Sequence, residues 1–90
     1  MPITIHIPTP MRQHTAGNAT VEVSAPSVQA ALGELGKTYP DITARMFDNG
    51  QLKRFLNLYL NDEDVRYLDN LATPVKDGDE LSIIPAVAGG

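Results

Sequence analysis

The side chains that most often perform chemistry in proteins are scarce in this chain of 90 residues. It has no cysteine, which excludes a disulfide framework, a thiolate zinc site, an iron–sulfur cluster and a cysteine nucleophile. The two histidines, His6 and His14, are too few for a histidine metal cage. His6 falls on the polar phase of an alternating segment and His14 in a loop. Both are therefore predicted to be surface residues rather than catalytic ones.

Carboxylates are concentrated in two short polar segments, at residues 61–64 and 77–80. The spacing and closing glutamate of a calcium-binding loop are absent, so both segments are predicted to be solvated turns. A salt-sensitive docking rim at residues 77–80 is the alternative. The phosphate-loop, dinucleotide, serine-hydrolase and zinc-protease motifs are also missing. The sequence therefore predicts no enzyme active site, no metal site and no cofactor bound by this chain.

Charge is distributed unevenly along the chain. The net charge is −4, but residues 61–90 carry seven acidic and two basic side chains, whereas residues 1–60 carry four acidic and five basic ones. The acidic C-terminal third of the chain would repel the phosphate backbone of a nucleic acid, so a basic protein surface is the better partner. No apolar run approaches the ~20 residues of a membrane span, and no signal-peptide pattern opens the chain. The expected location is the cytoplasm, without membrane contact.

The remaining feature that could take part in a chemical reaction is the C-terminal segment, Pro-Ala-Val-Ala-Gly-Gly. Six residues from Pro85 reach at most about 20 Å, and glycine has no Cβ to obstruct passage through a narrow channel. The group delivered is the α-carboxylate of Gly90, which is ionised at neutral pH. A carboxylate is a poor electrophile, so another enzyme has to activate it. Ordinary fraying of a chain terminus is the alternative.

Hydrophobic periodicity predicts the elements that position this segment. Alternation with period two predicts strands, the fourth of them a short edge strand, at residues 3–7, 20–24, 55–60, 65–68 and 80–84. Pro85 is predicted to end the last ladder, because it has no amide hydrogen to donate. The order β-β-α-β-β-β predicts an α+β protein with a β-grasp roll as a single domain over residues 1–84. Residues 85–90 are predicted to form a flexible Gly-Gly tail.

One amphipathic helix is predicted between the second and third strands. Its apolar stripe has helical spacing and consists of Val28, Ala31, Leu32 and Leu35. Ser24 or Ser27 can cap the helix, and Gly36 is predicted to end it. Gly33 lies inside the helix, where glycine is unfavourable, so a close contact is expected there. Residues 39–50 are expected to be irregular, with about one helical turn.

The strand at residues 55–60 has two different apolar faces. Leu56, Leu58 and Leu60 share one face, and they match the apolar phases of the first and last strands, which predicts that this face is the core. Phe55 and Tyr59 share the other face, and Ile84 has the same outward phase on the last strand. Exposed aromatic residues beside an aliphatic residue commonly mark a protein contact. We therefore predict a partner-binding patch at Phe55, Tyr59 and Ile84.

The segment from residue 77 to residue 90, Asp-Gly-Asp-Glu-Leu-Ser-Ile-Ile-Pro-Ala-Val-Ala-Gly-Gly, resembles the ubiquitin-like sulfur carriers of the ThiS/MoaD group. The resemblance covers essentially the whole chain and implies a β-grasp fold. It implies that an E1-like adenylyltransferase and sulfurtransferase adenylates Gly90 with ATP. Sulfur then replaces AMP to give a thiocarboxylate at Gly90, next to Gly89. Val87 and Ala88 are the tail residues that partners would bind.

The segment 54–66, together with the end Pro-Ala-Val-Ala-Gly-Gly, looks most like the carriers of cysteine biosynthesis. The resemblance implies that the thiocarboxylate attacks an aminoacrylate on a pyridoxal-phosphate, cysteine-synthase-like enzyme, and that a zinc metalloprotease releases the cysteine. ATP, magnesium, pyridoxal phosphate and zinc would then belong to the partner enzymes. Small subunits of molybdopterin synthase usually have Pro-Pro where this chain has Pro85-Ala86. They remain an alternative, as does a ubiquitin-like modifier that joins Gly90 to target lysines.

Overall fold

The computed structural model describes residues 2–86. The strands within that range are β1 (Ile3–His6), β2 (Thr20–Val23), β3 (Phe47–Asp48), β4 (Gln51–Leu52), β5 (Leu56–Leu60), β6 (Glu63–Asp64) and β7 (Glu80–Pro85). The α-helices are α1 (Val28–Thr38) and α2 (Pro40–Met46), and short 3₁₀ helices occupy Thr9–His14, Val65–Tyr67 and Asn70–Ala72. No helix among these residues is long and apolar enough to cross a membrane.

The main sheet has five strands in the order β2-β1-β7-β5-β6. The neighbouring strands β1 and β7 are parallel, with Ile5 opposite Leu81, and the other pairs are antiparallel. A separate hairpin pairs β3 with β4. A mixed sheet that packs against one main helix is the β-grasp arrangement expected from the sequence, so the predicted fold is confirmed.

The core lies between one face of the sheet and the two helices. Alternate residues of the strands point into it, as the period-two pattern requires. The predicted leucine face of β5 is buried, and so is the predicted stripe of α1. The remaining buried apolar side chains come mainly from the neighbouring strands and α2 and include Ile3, Ile5, Ile42, Met46, Leu81 and Ile83. The opposite face of the sheet is consequently left to polar and exposed residues.

Helix α1 begins after one of the two predicted caps but ends later than the sequence predicted. Of the two candidate caps, Ser27 is the one used, because its hydroxyl accepts a hydrogen bond from the amide of Ala30 at 3.1 Å. The prediction that Gly36 ends the helix is wrong, since the helix continues to Thr38. A Cβ at Gly36 would lie 2.8 Å from Oγ1 of Thr43, so this glycine permits the close approach of α2.

The close contact predicted at Gly33 is also wrong, because a Cβ there would meet nothing within 4 Å. The irregular segment predicted at residues 39–50 contains more regular structure than one helical turn. Helix α2 has seven residues, and a β3–β4 hairpin follows it. Asn49 and Gly50 form the hairpin turn with φ angles of 54° and 77°, values that a tight two-residue turn requires.

The short edge strand was predicted two residues too late. Strand β6 is Glu63–Asp64, and the residues that follow form a 3₁₀ helix instead of a strand. The physical reason is the side chain of Asp64, which accepts a hydrogen bond from the amide of Arg66 at 2.9 Å and caps the 3₁₀ turn. A local side-chain bond of this kind competes with the strand ladder.

Strand β7 extends one residue beyond its predicted end, because Pro85 lies in the ladder opposite Leu56. The amide of the next residue, Ala86, donates to the carbonyl of Phe55, so residues 84 and 86 point their backbone groups at β5. The nitrogen of Pro85 therefore faces the other side, where β1 has already ended at His6. Its missing amide hydrogen costs no ladder bond at this position.

Candidate functional site

The candidate site surrounds the point at which the described chain ends, on the exposed face of the sheet. The amide of Ala86 donates a hydrogen bond of 2.5 Å to the carbonyl of Phe55. This bond places the start of the predicted tail beside the turn that leads into β5. The predicted reactive residues Gly89 and Gly90, and the predicted partner-binding residues Val87 and Ala88, lie outside the described residues.

The three predicted patch residues lie on the same face of the sheet. Ile84 is opposite Asn57 in the ladder, so Phe55 and Tyr59 are its diagonal neighbours on either side. Phe55 is 48% exposed and Ile84 is 42% exposed, whereas Tyr59 is partly buried. Phe55 lies in the turn before β5 rather than in the strand itself. The structure therefore brings these residues together, and partner binding by them stays a prediction.

Two basic residues beside this patch were missed by the sequence reasoning. Nζ of Lys53 lies 5.9 Å from the centroid of the Phe55 ring, at the distance of a cation–π contact. Arg54 is next in the chain and is exposed. The signal was present in the run Lys-Arg-Phe, but the charge count averaged these cations over the first 60 residues. The surface next to Ala86, where the described chain ends, is therefore basic and aromatic, although the C-terminal third of the sequence is acidic overall.

His6 lies on the outward face of β1, as its polar phase predicted. Its Nε2 lies 2.6 Å from Oε1 of Glu80, and both side chains are exposed. The parallel register places Thr4 opposite Glu80, which makes His6 a diagonal neighbour of that carboxylate. This pairing depends on the sheet topology and has no local signal in the sequence. An exposed pair of this kind contributes little to stability.

The segment 77–80 forms a turn, as predicted, but the docking-rim alternative does not fit Asp79. Asp79 is 7% exposed, and its carboxylate accepts hydrogen bonds from the side-chain amide of Asn61 at 3.0 Å and the backbone amide of Lys76 at 2.9 Å. These hydrogen bonds, that from Asn61 first, hold the pKa of Asp79 below its usual value. Asp79 precedes β7, whose far end at Pro85 is about 20 Å away at the usual rise per residue. It therefore stabilises a turn and lies far from the tail.

The segment 61–64 was predicted to be a solvated turn, and Asp64 departs from that prediction. Its carboxylate is buried and accepts from Nε of Arg66 at 3.1 Å and from Nη2 at 2.6 Å. The side-chain hydrogen bonds from Arg66, followed by its backbone amide, hold the pKa of Asp64 below its usual value. Asn61 and Asp62 adopt left-handed backbone angles, with φ of 49° and 71°. The segment is a turn, but its last carboxylate is structural.

Among residues 2–86, no cluster of histidine and carboxylate side chains could hold a metal ion. The arrangement of the described residues is instead suited to binding a protein. A central strand leads the chain to one edge of an exposed aromatic and aliphatic surface. The described part of the chain therefore ends, at Ala86, next to that surface.

A family model described as the ThiS family matches residues 5–90. The chain belongs to the ThiS family. This ThiS-family chain is 45% identical to the sulfur carrier protein CysO of Mycobacterium tuberculosis, with 100% of both chains covered. A chain in the crystal structure of the BexX/CysO complex of Amycolatopsis orientalis matches it with a TM-score of 0.91 and 44% identity, covering 98% of this chain and 99% of that one.

The solution structure of small archaeal modifier protein 1 from Methanosarcina acetivorans matches the ThiS-family chain with a TM-score of 0.86 and 28% identity, covering 98% of this chain and 95% of that one. These relatives confirm the ubiquitin-like β-grasp fold and the predicted family. They are carriers and a modifier rather than catalysts. The chain is accordingly a homologue of sulfur carrier proteins, which supports a carrier role.

Proposed function

We propose that this protein carries sulfur as a thiocarboxylate on Gly90 and delivers it to cysteine biosynthesis or to a related thio-metabolite. The observation that supports this most directly is the hydrogen bond between Ala86 and Phe55, which begins the tail at the rim of an exposed aromatic patch. Four further residues follow Ala86 and end in Gly-Gly. Identity of 45% to a sulfur carrier over the full length supports the same reading.

The chemistry requires activation by a partner. The carboxylate oxygen of Gly90 attacks the α-phosphorus of ATP, pyrophosphate leaves, and the carboxylate becomes an acyl adenylate. Hydrosulfide from a sulfide source then adds to the acyl carbon on the E1-like enzyme and AMP leaves, which gives the thiocarboxylate directly. ATP and magnesium belong to that activating enzyme. The carrier itself supplies the reactive terminus and the surface that positions it.

In the proposed pathway, the thiocarboxylate sulfur adds to an aminoacrylate on a pyridoxal-phosphate enzyme that resembles cysteine synthase. The acyl group then moves from sulfur to nitrogen, so that cysteine is amide-linked to Gly90. A zinc metalloprotease hydrolyses that amide and regenerates the Gly90 carboxylate. In each encounter, Phe55, Tyr59 and Ile84 would contact the partner while the tail enters its active site.

A ubiquitin-like modifier is the second candidate, and the likeness to small archaeal modifier protein 1 favours it. Both candidates begin with adenylation of Gly90, but they differ in the final acceptor. A modifier ends in an amide bond to a lysine of another protein. A sulfur carrier for cysteine forms an amide bond to the cysteine made on it, and hydrolysis then releases that cysteine.

Intact mass spectrometry tests the proposal. The purified protein, its E1-like enzyme, ATP and a sulfide source should produce a mass increase equal to one oxygen replaced by one sulfur. Addition of the pyridoxal-phosphate enzyme with its activated serine substrate should then raise the total increase over the starting protein to the mass of one cysteine residue, which includes the sulfur already gained. Deletion of Gly90 is the control and should abolish both changes while leaving the circular dichroism spectrum intact. Conjugates to partner lysines without any thiocarboxylate would contradict the carrier proposal and support the modifier.

A further inference from the structure

A depression of about 500 Å³ lies over strand β7 on the exposed face of the sheet. Three residues that line it, Glu80, Ser82 and Ile84, alternate along β7 and therefore point to the same side. His6 on β1 and Asp62 in the β5–β6 turn complete its polar part. The side chain of Glu80 is 60% exposed and Ile84 is 42% exposed, so the depression is open to a partner. We refer to it as the sheet pocket.

The sheet pocket carries an unbalanced negative charge. Glu80 and Asp62 both line it, and its described lining includes no lysine or arginine. Oε1 of Glu80 lies 2.6 Å from Nε2 of His6, but a protonated histidine would offset only one of the two carboxylates. Within residues 2–86, Asp62 forms no ion pair. The pocket is therefore negative whether or not His6 carries a proton on both nitrogens.

The surroundings of the sheet pocket do not supply the missing positive charge. Arg12 lies in the 3₁₀ helix that follows β1, where its Nε donates to the carbonyl of Ile7 at 3.1 Å, and it does not line the pocket. Glu22 on β2 is opposite Thr4, which is in turn opposite Glu80. This register adds a third carboxylate to the same end of the exposed face. A cation has to come from outside the described chain.

A partner that uses Ile84 as an anchor has to cover this charge as well. Ile84 belongs both to the predicted patch and to the lining of the sheet pocket. Four residues along β7 separate it from Glu80, a distance of about 13 Å. A stable protein interface buries about 800 Å² of each partner, which corresponds to a surface about 30 Å across. An interface centred on Ile84 therefore takes the carboxylates of Glu80 and Asp62 out of water.

Removal of two carboxylates from water is unfavourable unless the partner provides a cation and hydrogen-bond donors. A guanidinium group is suited to this, because it has five N–H donors in one plane and is less strongly hydrated than an ammonium group. His6 engages Oε1 of Glu80, which leaves Oε2 and the carboxylate of Asp62 as acceptors. Pro8, Ile84 and Pro85 also line the pocket and provide apolar contact for the aliphatic stem of an arginine.

We propose that the sheet pocket binds an arginine side chain of the enzyme that activates Gly90, in an ion pair with Glu80 and Asp62. The inference rests on the proposed function, which requires that enzyme to contact the patch. It adds the chemistry of the contact, in which a buried cation lies beside the aliphatic anchor Ile84. A second copy of this chain fits poorly, since two copies packed face to face about β7 would bring two acidic pockets together.

Calorimetric titration of the protein into its E1-like enzyme tests the proposal. Glu80→Gln with Asp62→Asn removes both charges, and asparagine tolerates the left-handed φ of 71° at position 62. This variant should bind at least tenfold more weakly than the parent, and its affinity should depend less steeply on salt. Glu34→Gln with Asp41→Asn is the control, because it removes two charges from the helices on the other side of the sheet. The control should bind within twofold of the parent, and equal affinities of the two double variants would overturn the proposal.

A charge swap identifies the group on the enzyme. Glu80→Arg should weaken binding at least tenfold, and the arginines of the enzyme are then changed to glutamate one at a time. One of these changes should weaken binding of the parent and restore at least tenfold of the affinity lost by Glu80→Arg. Replacement of that arginine by lysine should also weaken binding of the parent, since lysine lacks the planar fork. Restoration by no arginine position would show that the proposal is wrong.

The failure of this inference can be distinguished from the failure of the proposed function. The mass increase at Gly90 reports sulfur carriage, whereas the affinity reports the contact at the sheet pocket. Full affinity of the Glu80 and Asp62 double variant together with thiocarboxylate formation would overturn the pocket and leave sulfur carriage intact. Loss of its affinity without any thiocarboxylate in the parent would support the pocket and contradict sulfur carriage. A dimer of the protein alone that Glu80→Arg dissociates would make a second copy the occupant and would overturn the proposal.

Discussion

Ala86 and Phe55 are joined by a backbone hydrogen bond, so the last described residue of the chain is fixed beside the most exposed side chain of the predicted patch. The bond continues the β5–β7 ladder by one rung past Pro85. As a result, the direction in which the tail leaves the domain is set by the sheet rather than by a loop. A partner that binds the patch therefore meets Ala86, the last described residue, at a defined position.

The patch is expected to act in binding and not in stability. Phe55→Ala or Ile84→Ala should weaken binding to the activating enzyme by about 1–3 kcal/mol, the range for interface anchors. Each side chain is more than two-fifths exposed, so the free energy of unfolding should change little. Leu58→Ala is the matched contrast, since Leu58 is 1% exposed and its truncation should destabilise the fold by about 2–5 kcal/mol. Calorimetric binding and urea unfolding would show reversed effects if the two faces of β5 were misassigned.

The two glycines of α1 should respond oppositely to alanine. Gly36→Ala should destabilise the protein by about 1–3 kcal/mol, because the new Cβ would lie 2.8 Å from Oγ1 of Thr43. Gly33→Ala should stabilise it by up to about 1 kcal/mol, since that position is open and alanine favours a helix. Urea unfolding measures both effects. Thr43→Ala combined with Gly36→Ala should recover most of the loss, and a loss that persists would place the strain elsewhere.

Ser27 is expected to contribute to stability through its cap. Ser27→Ala removes the acceptor for the amide of Ala30 and should lower the free energy of unfolding by about 0.5–2 kcal/mol. Ser24→Ala is the control, because Ser24 is an exposed serine that makes no cap contact. Thermal unfolding of the two variants would contradict this assignment if Ser24→Ala were the more harmful change.

The elements that the sequence predicted well are those in which a periodic pattern meets the core. Alternation identified the buried face of β5, and helical spacing identified the stripe of α1, because burial acts on every second or every third and fourth residue. The mistakes concern single contacts between distant or polar residues. The approach of Gly36 to Thr43 depends on how the two helices pack, which no periodic pattern encodes. The bond from Arg66 to Asp64 is local, but it is a single polar contact that the alternation of apolar residues does not report.

In the candidate site, too, some features could be predicted from periodicity and others could not. The outward phase of Phe55, Tyr59 and Ile84 could be inferred, since it is the complement of a buried phase. The basic character of the surface around Lys53 and Arg54 could not be inferred from charge totals. It arises because these cations precede β5, whereas both acidic turns lie at the other end of that strand, where Asn61 bonds to Glu80. The turn that contains Asp79 is one of them, and its carboxylate makes structural hydrogen bonds.

Asp79 should make the stability of the protein depend on pH in the acidic range. Its pKa is lower in the folded protein than in the unfolded chain, mainly because of the hydrogen bond from Asn61. Its contribution is therefore complete above the ordinary aspartate pKa of about 3.9 and is lost as the pH falls through the lower folded value. Asp64, whose pKa is lowered by Arg66, acts in the same direction. Urea unfolding between pH 7 and pH 2 should show this loss.

The variant Asp79→Asn isolates the first of these carboxylates. It should be less stable than the parent at neutral pH, and the difference between the two proteins should shrink as the pH falls, because the parent loses the charge that the variant lacks. Asp62→Asn is the control, since Asp62 is exposed and its replacement leaves both hydrogen bonds of Asp79 in place. A constant difference between Asp79→Asn and the parent across the whole pH range would show that the charge of Asp79 is not what stabilises the turn.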